Sequence, residues 1–406
     1  MKSGRVLMES AEQLPKKSAP RPVGASSGAM VPSLLIVLTL GSGQDVSVTN
    51  AYCTSRWLVR GLGAELATNL AGRGGKRWRQ TLRAGGRRNP PPADGALAVV
   101  TGATGGLGAE ICAGLASLGY DVVVAGRDPR RGEALASRLR ASGASASYVR
   151  WEATDLASAH AVARAAGGRP CALLVNNAGV MGRAVSKAET VRTNLLAPAA
   201  LTLALLPALR RHGSPRVVNV GSSSHLRARR VAPATLESPR SDANLLAYAQ
   251  SKLGLMQLSL LLRASLPWLT VVDAHPGIVW TPMLQAQAGG LAAVLQASGA
   301  ARLLFKSPEA GATTVLTAAV APRVPPPSWG ERARWRRGWR RGPYFVNCRP
   351  GGFASAQSRD LQLAREMWSA IVAPAVEPVV RSGCREVEAG SGQGGKGDCL
   401  GDCLGD

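Results

Sequence analysis

Tyr248 and Lys252 are two side chains whose types and spacing could move a proton. They stand four residues apart in the run Ala247-Tyr-Ala-Gln-Ser-Lys, so a helix would place them on one face, one turn apart. A tyrosine exchanges protons at neutral pH only when its pKa, ordinarily about 10, is lowered, and a nearby ammonium group favours the phenolate. The pair therefore predicts acid–base chemistry at an oxygen atom, although one such pair is weak support by itself.

A glycine-rich turn lies far upstream, between a predicted buried strand and a predicted helix. The apolar run 96–101 indicates the strand, and the segment after the turn has helical spacing. Gly102 would form the tight turn, Gly106 would let the backbone approach a pyrophosphate, and Gly108 would let the helix pack closely. The phosphate would lie at the helix N-terminus. The predicted cofactor contacts of this turn are Thr101, Gly102, Gly105, Gly106, Leu107 and Gly108.

The residue after the second predicted strand bears on the choice of nicotinamide cofactor. The run 121–125 leads into Gly-Arg127, where an acidic residue would hold the ribose 2′-hydroxyl of NAD. Arginine here, with Arg130 and Arg131 nearby, suits the 2′-phosphate of NADP. Ordinary surface arginines would look the same, so NADP(H) is expected and NAD(H) is the alternative. Asp155, after the next predicted strand, is placed to reach the adenine.

Further motifs follow the glycine turn along the chain. They are Asn176-Asn-Ala-Gly179, Asn219-Val-Gly-Ser222, the Tyr248/Lys252 pair and His275-Pro-Gly277. Together and in this order they resemble the short-chain dehydrogenase/reductase family over roughly residues 96–372. The runs 248–253 and 304–311 are similar to retinol dehydrogenase-like members, above all to the X-linked dehydrogenase/reductase branch, which handles polyprenoid alcohols and aldehydes.

The resemblance implies four catalytic roles. Tyr248 would exchange a proton with the alcohol or carbonyl oxygen while hydride passes to or from the nicotinamide. Ser222 would hydrogen-bond the same oxygen. Lys252 would lower the pKa of Tyr248 and hold the nicotinamide ribose, and Asn194 would support a water chain to bulk solvent.

The resemblance also assigns the surroundings of these four residues. Ser223 is the alternative to Ser222, while Ser224 and His225 are expected to be bystanders. A substrate lid is expected from Met283 to Leu303. The remaining cofactor contacts are expected at Asn177, Ala178, Gly179, Tyr248, Lys252, Pro276, Gly277 and Thr281.

Alternating strand-like and helix-like segments predict an α/β fold, a single doubly wound Rossmann domain with a parallel sheet. The domain would span 96–372, between a low-complexity or targeting region at 1–95 and a disordered tail at 373–406. A basic, tryptophan-containing insertion is expected at 323–341, as a disordered loop or as a contact to membrane or RNA.

Two segments are shorter than is usual for the family. They lie between Asp155 and Asn176 and between Gly179 and Asn194. The second leads directly to a candidate catalytic residue. A foreshortened segment would displace Asn194 and slow turnover.

Charge and cysteine usage narrow the function classes. The net charge of +24 is spread along the chain, which disfavours nucleic-acid binding as the main function. The seven cysteines match no zinc spacing, so we expect free thiols and no metal. The apolar run Val31–Leu40 is too short to span a bilayer, which takes ~20 residues, but it fits a signal-peptide core, and an organellar presequence fits equally. A location in the cytoplasm or at the endoplasmic reticulum is expected.

These features predict an NADP(H)-dependent oxidoreductase that interconverts an alcohol and a carbonyl on a lipophilic substrate of retinoid, polyprenoid or steroid type. Peripheral membrane contact and a homodimer are further expectations. The alternative is a catalytically weak Rossmann nucleotide-binding protein that acts in protein, RNA or membrane association.

Overall fold

The computed structural model of the protein describes residues 95–182, 185–233, 243–321, 343–352 and 354–391. The predicted region 1–95, apart from its last residue, and the basic insertion 323–341 lie outside the described residues. The strands are β1 Leu97–Thr101, β2 Asp121–Gly126, β3 Ala146–Arg150, β4 Cys171–Asn176, β5 Arg216–Val220, β6 Thr270–His275, β7 Tyr344–Val346 and β8 Arg349–Pro350.

Helices connect these strands. They are α1 Gly106–Ala116, α2 Pro129–Ala141, α3 Ala159–Ala165, α4 Lys187–Val191, α5 Ala197–Arg210, α6 Ala243–Ser265, α7 Pro282–Ala288, α8 Gly290–Ala297, α9 Ala300–Leu304, α10 Pro308–Val320, α11 Leu361–Met367 and α12 Ala373–Ser391. One π-helical turn, Arg192–Leu196, joins α4 to α5, and another, Trp368–Val372, joins α11 to α12.

In the described part of the chain the strands form one sheet in the order β3-β2-β1-β4-β5-β6-β7-β8. All neighbours are parallel except β7 and β8. The α/β fold with a doubly wound parallel sheet is therefore confirmed. The antiparallel edge strand β8 was not expected; it is paired through a turn in which Asn347 and Cys348 have positive φ angles of 52° and 61°.

Apolar helices cover both faces of the sheet, which explains why strands such as β1 and β4 are buried along their whole length. Leucines of α5 and α6 belong to the core on one face. Residues of α1, α2 and α10 belong to the core on the other. The segments Lys187–Arg210 and Leu245–Ser265 are long and apolar enough to cross a bilayer, but both are mostly buried inside the protein.

The expected disordered tail from residue 373 is wrong for Ala373–Ser391, which form α12. Val376 and Val380 of this helix are buried, and the carbonyl of Val379 lies 2.8 Å from Nε2 of His160. Apolar residues spaced four apart give the helix one face that packs onto the core, although its overall composition is polar.

The order of the strands places a crevice at one edge of the sheet. From β1 the chain builds outward through β2 and β3 on one side, and from β4 it builds outward on the other. The carboxyl ends of β1 and β4 therefore mark the point where the direction of winding reverses, which is where open α/β sheets bind ligands.

Candidate active site

The glycine turn follows β1 at this crevice. Gly102 has a φ of +59°, and a β-carbon on it would lie 2.8 Å from the Cα of Ala178. A β-carbon on Gly108 would collide with the carbonyl oxygen of Gly102 and would come within 2.8 Å of Asn177 Nδ2. Both positions need glycine because the turn, helix α1 and the end of β4 approach each other closely.

Hydrogen bonds lock the end of β4 onto the glycine turn. The hydroxyl of Thr101 accepts bonds from the backbone N–H groups of Asn177 at 3.0 Å and Ala178 at 3.1 Å. The side-chain amide of Asn177 donates back to the carbonyl of Thr101 at 2.9 Å. The structure thus brings the predicted cofactor residues of both motifs together, and it gives Thr101 and Asn177 a structural task there.

The N-terminus of α1 opens onto a cavity. Gly105 is the N-cap and makes no side-chain capping bond. A cavity of about 300 Å³ lies here, lined by Thr104, Gly105 and Gly106, with Arg131 and Arg138 of α2 on the opposite side. Arg138 was missed by the sequence reasoning, although it stands two helical turns after Arg131 and so lies on the same helix face.

The other predicted cofactor contacts take different positions. Arg127 is exposed just after β2 and does not line the cavity. Asp155 is exposed, and its carboxylate accepts a bond of 3.1 Å from the N–H of Ala157, so it caps a short helical turn. Pro276 and Gly277 follow β6; the ammonium group of Lys306 lies 3.4 Å from the carbonyl of Pro276.

Thr281 ends the predicted nicotinamide loop and begins the next helix. It is the N-cap of α7, with an extended backbone and no side-chain capping bond. Its carbonyl accepts a bond of 2.9 Å from the N–H of Gln285 in that helix. The hydroxyl of Thr281 therefore makes no capping hydrogen bond to α7.

Lys252 points from α6 into the crevice. Its side chain is buried, and its ammonium group donates a 2.9 Å hydrogen bond to the carbonyl of Val220 at the end of β5. The same nitrogen lies 5.8 Å from the centre of the Tyr248 ring. Burial lowers the pKa of Lys252 to about 8.

Tyr248 is half-buried one turn earlier on α6. Burial raises its pKa, and a hydrogen bond with Ser222 works in the opposite direction. The lowered pKa that the resemblance implies for Tyr248 is therefore not found in this state, because desolvation of the phenolate outweighs the groups that favour it.

Ser222 lies where β5 turns into a short 3₁₀ helix, Ser223–Arg227. It is the N-cap of that helix, and its hydroxyl oxygen accepts a bond of 3.2 Å from the N–H of Ser224. Its hydrogen bond with Tyr248 favours Ser222 over Ser223 as the candidate serine.

Asn194 lies in the π-helical turn between α4 and α5 and is completely buried. Its side-chain oxygen accepts from the N–H of Val180 at 2.8 Å, and its amide donates to the carbonyl of Val180 at 2.9 Å and to the hydroxyl of Ser251 at 3.0 Å. A β-carbon on Gly179 would contact both Asn194 and Lys252, at 3.3 and 3.5 Å. The shortened loop before Asn194 thus still delivers this side chain beside Lys252, and π-turns recur at functional sites.

Comparison with known proteins identifies the family of this chain. The family described as short chain dehydrogenase matches residues 96–290. Polyprenol dehydrogenase of Mus musculus is 38% identical over 296 residues, which cover 69% of this chain and 83% of that protein. The chain belongs to the short-chain dehydrogenase/reductase family.

Two further relatives show the range of similarity. Retinol dehydrogenase 12 of Mus musculus is 30% identical, over 68% of this chain and 84% of that protein. RhlG of Pseudomonas aeruginosa, solved as an active-site complex with NADP, is 27% identical over 56% of this chain and 89% of that one, with a TM-score of 0.46. The expected family, and with it the class of oxidoreductase, is confirmed by the sequence relatives.

In this family member, the predicted lid is formed by α7, α8 and α9. The side-chain amide of Gln287 in α7 donates to the carbonyl of Met181 at 3.2 Å, so the lid contacts the loop that follows Gly179. At its base Trp280 and Phe305 stack with ring centres 4.8 Å apart. The segment predicted to be the lid therefore lies against the loop that follows Gly179.

His225, expected to be a bystander, is fully buried beside Ser222. Its Nδ1 lies 2.6 Å from the carbonyl of Ser222, and its Nε2 lies 3.3 Å from the backbone nitrogen of Ser355. The sequence shows that His225 follows Ser222 by three residues. The contact to Ser355, however, joins residues that are 130 positions apart. Local spacing carries no signal for such a contact.

A chain of buried polar side chains runs beneath the crevice. Asn176 donates to Asn219 at 2.8 Å, Asn219 donates to the hydroxyl of Ser259 at 2.8 Å, and Ser259 donates to the carboxylate of Asp273 at 2.6 Å. Arg263 forms an ion pair with Asp273 at 3.3 Å. Burial raises the pKa of Asp273 to about 6, while Arg263 and Ser259 act against this rise. The chain links the ends of β4, β5 and β6, each of which carries part of the candidate site.

Proposed function

We propose that this protein interconverts an alcohol and a carbonyl group on a lipophilic substrate, with NADP(H) as the hydride carrier. The observation that carries the proposal is the convergence of Ser222, Tyr248 and Lys252 at the crevice. Ser222 hydrogen-bonds Tyr248, and Lys252 approaches the same ring from one helical turn away. An acid–base group beside a positioned hydrogen-bond donor is what hydride transfer at an alcohol or carbonyl carbon requires.

Tyr248 would be the proton donor and acceptor. Because burial raises its pKa, the phenol keeps its proton at neutral pH, which is the form that donates to a carbonyl oxygen during reduction. Oxidation of the alcohol needs the phenolate, which the positive charge of Lys252 would favour. A substrate oxygen placed between Tyr248 and Ser222 would receive two hydrogen bonds as negative charge develops on it.

Lys252 would serve both the tyrosine and the cofactor. With a pKa of about 8, it is mostly an ammonium group at neutral pH. One of its protons is used by the carbonyl of Val220, which leaves two for a ribose hydroxyl and for Tyr248. NADP(H), when bound, supplies or accepts the hydride. Asn194, held between Val180 and Ser251, would complete the proton path behind Lys252.

The glycine turn and the cavity next to it fit an NADP cofactor. The glycines keep the backbone bare where a pyrophosphate would approach, and the uncapped N–H groups of α1 favour an anion. Arg131 and Arg138 add two guanidinium groups to the same cavity, which suits a 2′-phosphate better than a ribose hydroxyl. Asp155 and Thr281 stay proposed contacts to the adenine and to the nicotinamide loop.

The substrate would be a long apolar alcohol or its aldehyde or ketone. Arg302 is the charged residue in the lid segment 282–304, and the rest is largely Ala, Leu, Gln and Gly. The base of the lid is an aromatic stack. Relatives named polyprenol dehydrogenase and retinol dehydrogenase support the same class. A homodimer and peripheral membrane contact stay predictions that accompany this proposal.

Nicotinamide fluorescence titrations with NADPH and NADH, followed by turnover assays, test the proposed function. The substrate panel contains retinal, a polyprenal, a steroid ketone and glyceraldehyde as a short hydrophilic control. We expect tighter binding of NADPH and turnover of the apolar carbonyls only. Tight NADPH binding without turnover of any compound would favour a non-catalytic nucleotide-binding protein, and preference for glyceraldehyde would refute the lipophilic substrate class.

A further inference from the structure

We propose that His225 is a positioning residue that fixes Ser222 relative to Tyr248, by joining the Ser222 backbone to the C-terminal segment. This role rests on the proposed function, in which Ser222 hydrogen-bonds the reacting oxygen. His225 does not touch the candidate substrate site itself; it acts through Ser222.

The contacts of His225 define its protonation state. The backbone N–H of Ser355 can only donate, so Nε2 of His225 must accept that bond at 3.3 Å. The hydrogen of the neutral ring is then on Nδ1, which donates to the carbonyl of Ser222 at 2.6 Å. The pKa of His225 is lowered to about 4, mainly by burial and to a smaller extent by nearby His275, against the opposing effect of the bond to Ser222. The ring is neutral across the physiological range, as the bond accepted by Nε2 requires.

The surroundings hold the ring in one place. His225 is fully buried, and the ring of Tyr344 in β7 meets it edge to face with centres 5.5 Å apart. On the far side, Ser355 is tied into a 3₁₀ turn, Gln357–Arg359, because the hydroxyl of Ser358 donates to its carbonyl at 2.8 Å. The imidazole therefore has two rigid partners and little freedom to rotate.

These contacts close a frame around the candidate site. The carbonyl of Gln357 accepts a bond of 3.1 Å from the side-chain amide of Gln257, which lies on α6 together with Tyr248. Ser222, His225, the turn after Ser355 and helix α6 are thus connected in series. Through this series the C-terminal segment sets the distance between the Ser222 hydroxyl and the Tyr248 hydroxyl.

The test compares three substitutions at one position. In His225→Asn the amide nitrogen can stand in for Nδ1 and keep the bond to Ser222, whereas His225→Gln places its amide where Nε2 was, and His225→Phe keeps only the ring. We expect kcat to fall by roughly 10- to 100-fold in His225→Phe and His225→Gln, since a displacement of about 1 Å at a reacting group costs up to that much. His225→Asn loses the bond to Ser355 and so also breaks the connection, and its kcat should fall to a similar extent. The Kd for NADPH should stay within about twofold in all three.

A matched control separates this role from general packing. His160 also uses its imidazole to bond the C-terminal region, at the carbonyl of Val379, and this bond does not involve Ser222, Tyr248 or Lys252. His160→Phe should lower Tm and leave kcat unchanged. If His225→Phe does not fold, His225→Asn and His225→Gln decide instead, because each removes one of the two bonds that join Ser222 to Ser355. A rate near wild type in these two variants would overturn the positioning role.

A second background distinguishes failure of this role from failure of the proposed function. In Ser222→Ala, the His225 substitutions should have no further effect on kcat, because the group that they position is gone. A full rate in Ser222→Ala would show that the proposed function is wrong. A large loss in Ser222→Ala with unchanged rates in all His225 variants would leave the function standing and refute the role of His225.

Discussion

The ammonium group of Lys252 donates a 2.9 Å hydrogen bond to the carbonyl oxygen of Val220, two residues before Ser222. This bond ties helix α6, which carries Tyr248, to the end of strand β5, which carries Ser222. Placing the group there is costly, because burial lowers the pKa of Lys252 to about 8. The candidate site thus contains a buried ammonium group whose charged form is disfavoured by its loss of hydration.

The first prediction concerns stability and activity of Lys252→Met. A folded-state pKa of about 8, below the ordinary 10.5, means that the unfolded chain binds the proton more tightly than the fold. The wild-type unfolding free energy should therefore rise between pH 8 and 10.5, by about 3 kcal/mol if Lys252 alone contributed. Lys252→Met should lack this rise, and its turnover should fall at least about 100-fold.

Urea unfolding between pH 7 and 10 checks this prediction, with kcat measured on the same preparations. The stability difference between Lys252→Met and wild type should shrink as pH increases. If the unfolding free energies of Lys252→Met and wild type changed equally with pH, or if the variant had a normal kcat, the proposed role of the buried ammonium group would be contradicted.

The second prediction concerns discrimination between NADPH and NADH. Arg131 and Arg138 line the cavity at the N-terminus of α1, and Arg130, on the same helix, does not. Arg131→Met and Arg138→Met should each lower the preference for NADPH by roughly tenfold, because a charge-assisted hydrogen bond to a phosphate is lost. Arg130→Met is the matched control and should leave the preference unchanged.

Arg127→Ala tests the residue that the sequence favoured for the same task. A large loss of NADPH preference in Arg127→Ala, with normal preference in the two cavity variants, would move the phosphate site to the end of β2. Kd values for both cofactors in all four variants decide between these positions.

The third prediction concerns the buried ion pair of Asp273 with Arg263. The folded-state pKa of Asp273, about 6, lies above the ordinary 3.8, so the fold binds this proton more tightly than the unfolded chain. The contribution of the protonated carboxyl to stability is therefore present below pH 4 and is lost as pH rises to about 6, a change of about 3 kcal/mol. Asp273→Asn should remove this change from the pH dependence of unfolding.

Ser259→Ala provides a second measurement on the same group. The hydroxyl of Ser259 donates to Asp273 and favours its ionised form, so its removal should shift the stability loss to higher pH. Unfolding curves from pH 4 to 7.5 report both effects. An identical pH dependence in wild type and Asp273→Asn would contradict the assignment.

Much of the site could be predicted because its parts are local in sequence. Gly102 and Gly108 stand within one turn, and Tyr248 and Lys252 stand one helical turn apart, so spacing alone placed them correctly relative to each other. The order of the motifs also predicted which strand ends would meet, since parallel strands present their carboxyl ends at one edge.

The rest depends on contacts between distant segments or on desolvation. His225 meets Ser355 across 130 residues, and spacing gives no sign of it. The pKa of Tyr248 is raised because burial outweighs the hydrogen bond with Ser222, a balance that residue types alone do not reveal. Helix α12 was missed because its composition is polar overall, although Val376 and Val380 give it a buried face.

Turnover of Tyr248→Phe, measured beside NADPH binding, tests the central claim most directly. Tyr120→Phe is the control, because Tyr120 is a buried tyrosine in the core formed with α1, α2 and α10, away from Ser222. We predict that Tyr248→Phe binds NADPH with an unchanged Kd and loses about 10²- to 10⁴-fold in kcat, while Tyr120→Phe keeps its rate. A rate near wild type in Tyr248→Phe would show that another group moves the proton.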